Sequence, residues 1–187
     1  MTNFYGIKEL DEKYEKNSNT FTIGNTSITL TEPNIDHTVY YDYGGDISND
    51  PTITVNSTNN TYIFMRVDVP SEGFNDKYRY EIKDGWKEIA TTKNTKYSNY
   101  RTHIYAYVNN DNKLNTATNG ITSTLFTEFH STDPSYDNIY VKSEMPAYGY
   151  AIEASQTTDD PVETFKKFIE KYKENDDRLN YLDFKEE

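Results

Sequence analysis

The sequence predicts an all-β fold: an antiparallel, jelly-roll-like β-sandwich followed by one C-terminal amphipathic helix. Three observations carry that expectation. Residues 17–33 and 50–70 alternate apolar and β-branched residues with polar ones, the period of strands with one buried face. Turn-forming clusters recur up to about residue 155, too closely spaced for strand–helix–strand units. Only after Asp160 does the apolar period lengthen to that of a helix.

Taken in order, residues 1–19 are polar and charged, with Phe4, Tyr5, Ile7 and Leu10 as isolated apolar anchors. Phe21, Ile23, Ile28 and Leu30 begin the strand pattern, with Gly24-Asn25 read as a break or bulge inside it. Glu32-Pro33-Asn34 ends this stretch, and a Tyr- and Asp-rich loop containing Gly44-Gly45 follows. Pro51 opens the next strand, Thr52 to Val55, which is expected to pair with Tyr62 to Val69 across the turn cluster Asn56 to Asn60. In that second strand Ile63, Met65, Val67 and Val69 make a better core face than Tyr62, Phe64, Arg66 and Asp68.

Pro70 stops the strand. Tyr78, Tyr80 and Ile82 start another, expected to turn at Asp84-Gly85 into Trp86 to Ala90, because Asp-Gly between alternating segments is a hairpin signal. Thr102 to Val108 and Ile121 to Phe129 flank the Asn-rich loop 109–120, and Ile139 to Ser143 and Tyr148 to Ala154 complete about eight strands. Asp160-Pro161-Val162-Glu163 then reads as a capping box with Pro at the first helical position. Over 161–175, Val162, Phe165, Phe168, Ile169 and Tyr172 share one helical face. That stripe reads as a lid on the sandwich rather than a partner-binding surface. Leu179, Leu182 and Phe184 are the docking residues of an otherwise acidic tail. The chain thus divides into an N-terminal segment 1–19, a sandwich 20–155, and a helix with tail 156–187, without internal repeats.

At 187 residues the chain suits one domain with a real core. Apolar content is only 34%, but 18 Tyr and 9 Phe supply ring area that substitutes for Leu and Val. Strand propensity and biased composition account for so many tyrosines; a carbohydrate-stacking surface is the sharper alternative. The net charge of −12, with scattered Lys and Arg, argues against nucleic acid, which needs clustered cations. With no Cys there is no disulfide or thiol chemistry. No run approaches the roughly 18 apolar residues of a spanning helix, so no membrane span is expected.

Four landmarks resemble a known family. Asn19 to Gly24 (NTFTIG) with Ile28 to Pro33 is similar to the first mature strand of TasA-like and camelysin-like proteins, the SipW-processed secreted family of Gram-positive bacteria. Asp50 to Val55 (DPTITV), with the polar turn to Tyr62 and the strand ending Val69-Pro70, resembles their second landmark. Trp86 after a turn and Tyr148 to Ala154 (YGYAIEA) resemble the third and fourth. The likeness covers roughly residues 17–155. Two departures are the Gly44-Gly45-Asp46 loop, where the family has a Pro-preceded Gly, and a longer C-terminal helix. A basic-then-apolar leader is also absent, so the expectation is a chain in which Met1 replaces it, with a natively cytoplasmic chain as the alternative.

The resemblance implies a jelly-roll-like sandwich, secreted or at the cell surface, building a biofilm matrix fibre or surface layer. In fibre-forming members an extended N-terminal segment completes the sheet of the next subunit, so partners are further copies or other matrix proteins. Here the candidate donor is Met1 to about Lys16, with Phe4, Ile7 and Leu10 as the groove-filling residues and the strand Phe21 to Leu30 beside it.

Camelysin-like members have been described as metalloproteases, which prompts a search for catalytic groups. His37, His103 and His130 are remote from one another and HExxH is absent. There is no G-x-S-x-G, and Ser71 and Ser131 have nothing to distinguish them. Glu81, Glu128 and Glu153 read as outward-facing strand positions rather than a glycosidase pair. The expectation is therefore no catalytic residue and no obligatory cofactor. Asp42, Asp46 and Asp50 in one Gly-containing loop, and Asp133 and Asp137 in another, supply hard oxygen donors for weak Ca²⁺ binding, with solvated loop acids as the plain alternative. The alternative function is a monomeric module that binds carbohydrate or a host or bacterial surface through Tyr40, Tyr41, Tyr43, Tyr97 and Tyr100.

Overall fold

The computed structural model describes residues 18–23, 26–31, 45–48, 50–70, 78–92, 100–131, 147–172 and 177–186. Within them the chain is all-β, with antiparallel pairing throughout and one C-terminal helix, as expected. The first sheet runs β1 (Ser18–Ile23), β2 (Thr26–Thr31), β4 (Thr52–Asn56), β10 (Gly120–Ile121). A small sheet joins β3 (Gly45–Ser48), β11 (Glu128–Ser131) and β6 (Tyr78–Tyr80). The largest runs β12 (Ala147–Glu153), β5 (Thr61–Pro70), β8 (Tyr100–Tyr107), β7 (Trp86–Thr92), β13 (Leu182–Phe184), with β9 (Thr116–Ala117) also on β5. The first and largest sheets face each other. Ile28, Leu30, Ile53 and Val55 share one core with Ile63, Met65, Val67, Val69, Leu125 and Phe126. These strand orders make a layered sandwich without themselves tracing a jelly roll.

Several pairings differ from expectation, each for a physical reason. Gly24-Asn25 does not interrupt one strand. Ile23 pairs with Thr26, so the residues before and after them form two antiparallel strands, β1 and β2, rather than one. The strands β4 and β5 do not pair with each other but lie in opposite sheets. Both edges of β5 are taken, by β12 on one side and by β8 and β9 on the other. The segment between them is a corner. Ser57 Oγ accepts from the Asn59 N–H at 3.1 Å, Asn119 N–H donates to the Ser57 carbonyl at 3.0 Å, and Ala154 N–H donates to that of Asn60 at 2.9 Å.

Asp84-Gly85 does turn the chain, and Gly85 has a φ of +92°, where a side chain would be strained. Its flanking strands nevertheless enter different sheets, since β6 pairs with β11 while β7 pairs with β8 and β13. The expected strand Ile121 to Phe129 is broken. Leu125 and Phe126 are consecutive and both fully buried, which no half-buried regular strand allows. The chain bends to insert both, tied by Thr122 N–H to the Ile53 carbonyl (2.8 Å) and Leu125 N–H to that of Pro51 (3.0 Å). The expected strand Ile139 to Ser143 lies outside the described residues.

The face of β5 opposite Ile63, Met65 and Val67 is buried as well. Tyr62 and Phe64 lie on a second core, with Ile104, Ala106, Tyr148 and Tyr150, and the helix α1 (Pro161–Tyr172) covers it. Asp160 caps α1 through Oδ1, which accepts the Glu163 N–H at 2.7 Å. The Phe165 ring then packs tilted against Phe64 at 5.0 Å, and Phe168 against Tyr150 at 5.1 Å, so the apolar stripe is a lid on the sandwich. A bulge at Ile89 helps, because the register between Glu88 and Ala90 slips by one and both Ile89 and Ala90 join this core. The tail docks: Leu179 is buried and β13 adds a strand to β7.

Gly149 marks where the sheets approach. A Cβ there would stand 3.1 Å from Ile53 Cδ1 and 3.2 Å from Ile28 Cδ1, and both isoleucines are fully enclosed. Gly149→Ala is expected to lower unfolding free energy by about 1–3 kcal/mol through overpacking, read from urea denaturation midpoints. An unchanged midpoint would mean that the inter-sheet core has slack.

Candidate functional site

The expected site residues fall into two groups. Phe4, Ile7, Leu10, Tyr40, Tyr41, Asp42, Tyr43 and Tyr97 lie outside the described residues, as do His37, Ser71, Asp133 and Asp137. Asp46 lies in β3 opposite His130, Asp50 immediately precedes Pro51, and Tyr100 begins β8 opposite Pro70. The Asp50 carbonyl accepts a hydrogen bond from Thr52 Oγ1 at 2.9 Å. Among the described residues no three His, Asp or Glu side chains gather as a metal site. Nor is any helix there long and apolar enough to cross a membrane.

What the structure does assemble is a buried ionic cluster that the sequence reading assigned to the poorer face of β5. Residues two apart on a strand share a face, which brings Arg66 and Asp68 side by side. Arg66 Nε donates to Asp68 Oδ1 at 2.9 Å and Nη2 to Oδ2 at 2.7 Å, a bidentate pair with side chains 2% and 0% exposed. Thr102 Oγ1 donates to Asp68 Oδ1 at 2.7 Å from β8. From β12, the Tyr148 ring lies 4.3 Å from the guanidinium carbon and Tyr150 Oη accepts from Nη1 at 3.5 Å. The pair is thereby tied to both neighbours of β5. The spacing R-x-D within an otherwise apolar strand is the signal that could have disclosed it.

A second cluster joins the tail to the sheet. Glu88 on β7 faces His103 on β8, with Oε1 2.5 Å from Nδ1, and its other oxygen accepts from Lys185, just after β13. Burial pushes the Glu88 pKa upward, but hydrogen bonds from His103 and Lys185 together with their charges outweigh it and hold the carboxyl below its ordinary value of 4.5. Behind this group the hydroxyls of Tyr80 and Tyr105 bond to each other, and the Tyr105 ring stacks on His103 at 6.3 Å. Burial raises both phenol pKa values, so both stay protonated at neutral pH. With both Glu88 oxygens engaged, the arrangement is a clasp between β7, β8 and the tail.

The remaining feature is the set of sheet ends. Among the described residues β1 terminates the first sheet and β12 one end of the largest, although Gly149 and Ala151 of β12 are buried, so its outer side is covered. An edge strand presents backbone donors and acceptors to whatever adds to it. No family model, curated protein or solved structure matches this chain.

Two outcomes follow from the clusters. Asp68→Asn or Arg66→Met alone strands a buried partner and should cost about 3–5 kcal/mol, whereas replacing both with apolar residues of similar volume should cost less. A double-mutant cycle in urea checks this, and additive single costs would count against the coupling. For Glu88 the folded-state pKa is depressed, so its stabilisation is present above about pH 4.5 and is lost as pH falls through the lower folded value. Between about pH 6 and pH 3.5 the urea midpoint of Glu88→Gln should therefore fall less than that of the parent chain.

Proposed function

We propose that this chain is a secreted structural subunit of a bacterial extracellular matrix fibre or surface layer, and that it self-associates by donor-strand exchange without catalytic residues. The observation that carries the proposal is the position of β1: among the described residues it ends the first sheet, and it follows directly in sequence the Met1–Asn17 segment that holds Phe4, Ile7 and Leu10. A segment leading directly into an edge strand is well placed to leave its own subunit and add to another. The fold also suits the role, because its described polar clusters sit between strands and brace them. The sequence landmarks of the TasA-like and camelysin-like family point the same way: the NTFTIG stretch supplies β1, DPTITV supplies β4, and YGYAIEA supplies β12.

Electron microscopy with light scattering on the full chain, beside one lacking residues 1–16, tests this. Filaments from the first and monomers from the second are expected. Monomers from both would defeat the fibre reading and favour a monomeric module that binds carbohydrate or a cell surface through its tyrosines.

A further inference from the structure

The tail strand has a slight hold on the sheet it completes. β13 pairs only Leu182, Asp183 and Phe184 with Thr92, Thr91 and Ala90 of β7, and one further bond runs from Lys185 N–H to the Ile89 carbonyl at 2.9 Å. Its side chains bury little: Leu182 and Phe184 are half-buried, and Asp183 and Lys185 are exposed. Leu179, upstream, is 2% exposed and anchors the tail. So short a ladder can open while Leu179 and the rest of the sheet stay in place.

One feature of the seat works against closure. Residues paired across an antiparallel ladder share a face, so Asp183, Thr91 and His103 form a row across β13, β7 and β8. Thr91 Oγ1, in the middle of that row, is buried and has no hydrogen-bond partner among the described residues. An unpaired buried hydroxyl penalises the closed state. β13 lies on the outer side of Thr91, so lifting that strand opens a way for water.

Glu88 works in the opposite sense. Its Oε1 meets His103 Nδ1 on β8 and its Oε2 accepts from Lys185 Nζ, so a single carboxylate ties the tail to the sheet. The other titratable and charged groups on this face are Tyr105 and Arg101 of β8, Tyr80 of β6 and Asp183 of β13. The two phenols hold each other, which leaves the carboxylate to His103 and Lys185. Burial raises the Glu88 pKa, and these two partners more than reverse it, to below 4.5. The tie is therefore complete above about pH 4.5 and is lost as pH falls through the lower folded value.

We infer that β13 is a removable strap on the edge of β7, latched by the Glu88 carboxylate and released by acid, and that its release uncovers the β7 backbone from Ala90 to Thr92. While the strap is closed no other strand can add there. The device stands apart from the self-association proposed above and does not depend on it.

Native-state amide exchange by NMR on the full chain tests the strap, with protection expressed relative to an unstructured peptide at the same pH. At pH 6 the Lys185 amide should be roughly 100-fold less protected than that of Met65, which lies in β5 with a strand on either side, and should respond little to low urea. Between about pH 6 and pH 3.5 Lys185 protection should fall roughly tenfold in the parent chain. In Glu88→Gln it should be low already at pH 6 and change little. Equal protection and equal urea dependence for Lys185 and Met65 would mean that the tail leaves only when the whole chain unfolds, and would overturn the strap. A pH dependence that survives Glu88→Gln would overturn the latch.

Thr91→Val gives an independent check, because it keeps the branched shape and removes the unpaired hydroxyl. Lys185 protection should rise roughly fivefold, and an unchanged or lower value would overturn the part given to Thr91.

Discussion

Everything in this structure is arranged around a strand with no solvent face. β5 buries Ile63, Met65 and Val67 against one sheet and Phe64, Arg66 and Asp68 beneath the rest of the chain. A strand enclosed on both faces and both edges has nowhere to place a charge except against an opposite one. The bidentate Arg66–Asp68 pair is the result, and its third and fourth partners come from the two strands that flank it. Desolvating two ions is costly, and the cost is offset only when every donor and acceptor is used. Such a pair contributes register more than net stability: slipping β12 or β8 by one residue along β5 would turn Tyr148, Tyr150 or Thr102 to the wrong face.

Much of this was legible in the residues, and the failures have a common origin. The alternation in β5 and β12, the capping box at Asp160 and the helical stripe of Phe165 and Phe168 are local signals, and each element forms where its signal lies. The cluster Asn56 to Asn60 and Asp84-Gly85 mark turns but not hairpins, because a turn signal says that the chain reverses and not which sheet receives it. Partnership was decided by long-range occupancy, above all by the prior claim of β12 and β8 on β5. Leu125-Phe126 shows the converse. Two adjacent apolar residues cannot share one face of a strand, and the bend they force was readable from their adjacency. Of the proposed binding and self-assembly residues Asp46, Asp50 and Tyr100 have a described position, on strands β3 and β8 and just before β4, whereas the Arg66–Asp68 and Glu88–His103 groups arise from contacts between distant segments.

The composition finds its explanation in the two cores. A chain with 34% apolar residues fills both by using rings whose polar ends meet one another or an ion. Tyr80 and Tyr105 pair hydroxyl to hydroxyl, Tyr150 meets Arg66, and Tyr148 lays its face beneath the same guanidinium. Each buried ring of this kind supplies hydrophobic area while its hydroxyl or face meets a polar partner. Among the described residues Asp84, Asp111, Glu163 and Asp183 stay exposed, outside this framework.

The pairing of β5 with β12 also carries a cost in time. Thr61 waits for Glu153, about 90 residues later in synthesis, so the most apolar stretch of the nascent chain emerges long before the strand that shields one of its edges. Until then it is a bare, sticky ribbon, and contacts so distant in sequence close slowly. A protein built this way reaches its native state late and depends, in the interval, on surroundings that keep copies of that ribbon apart.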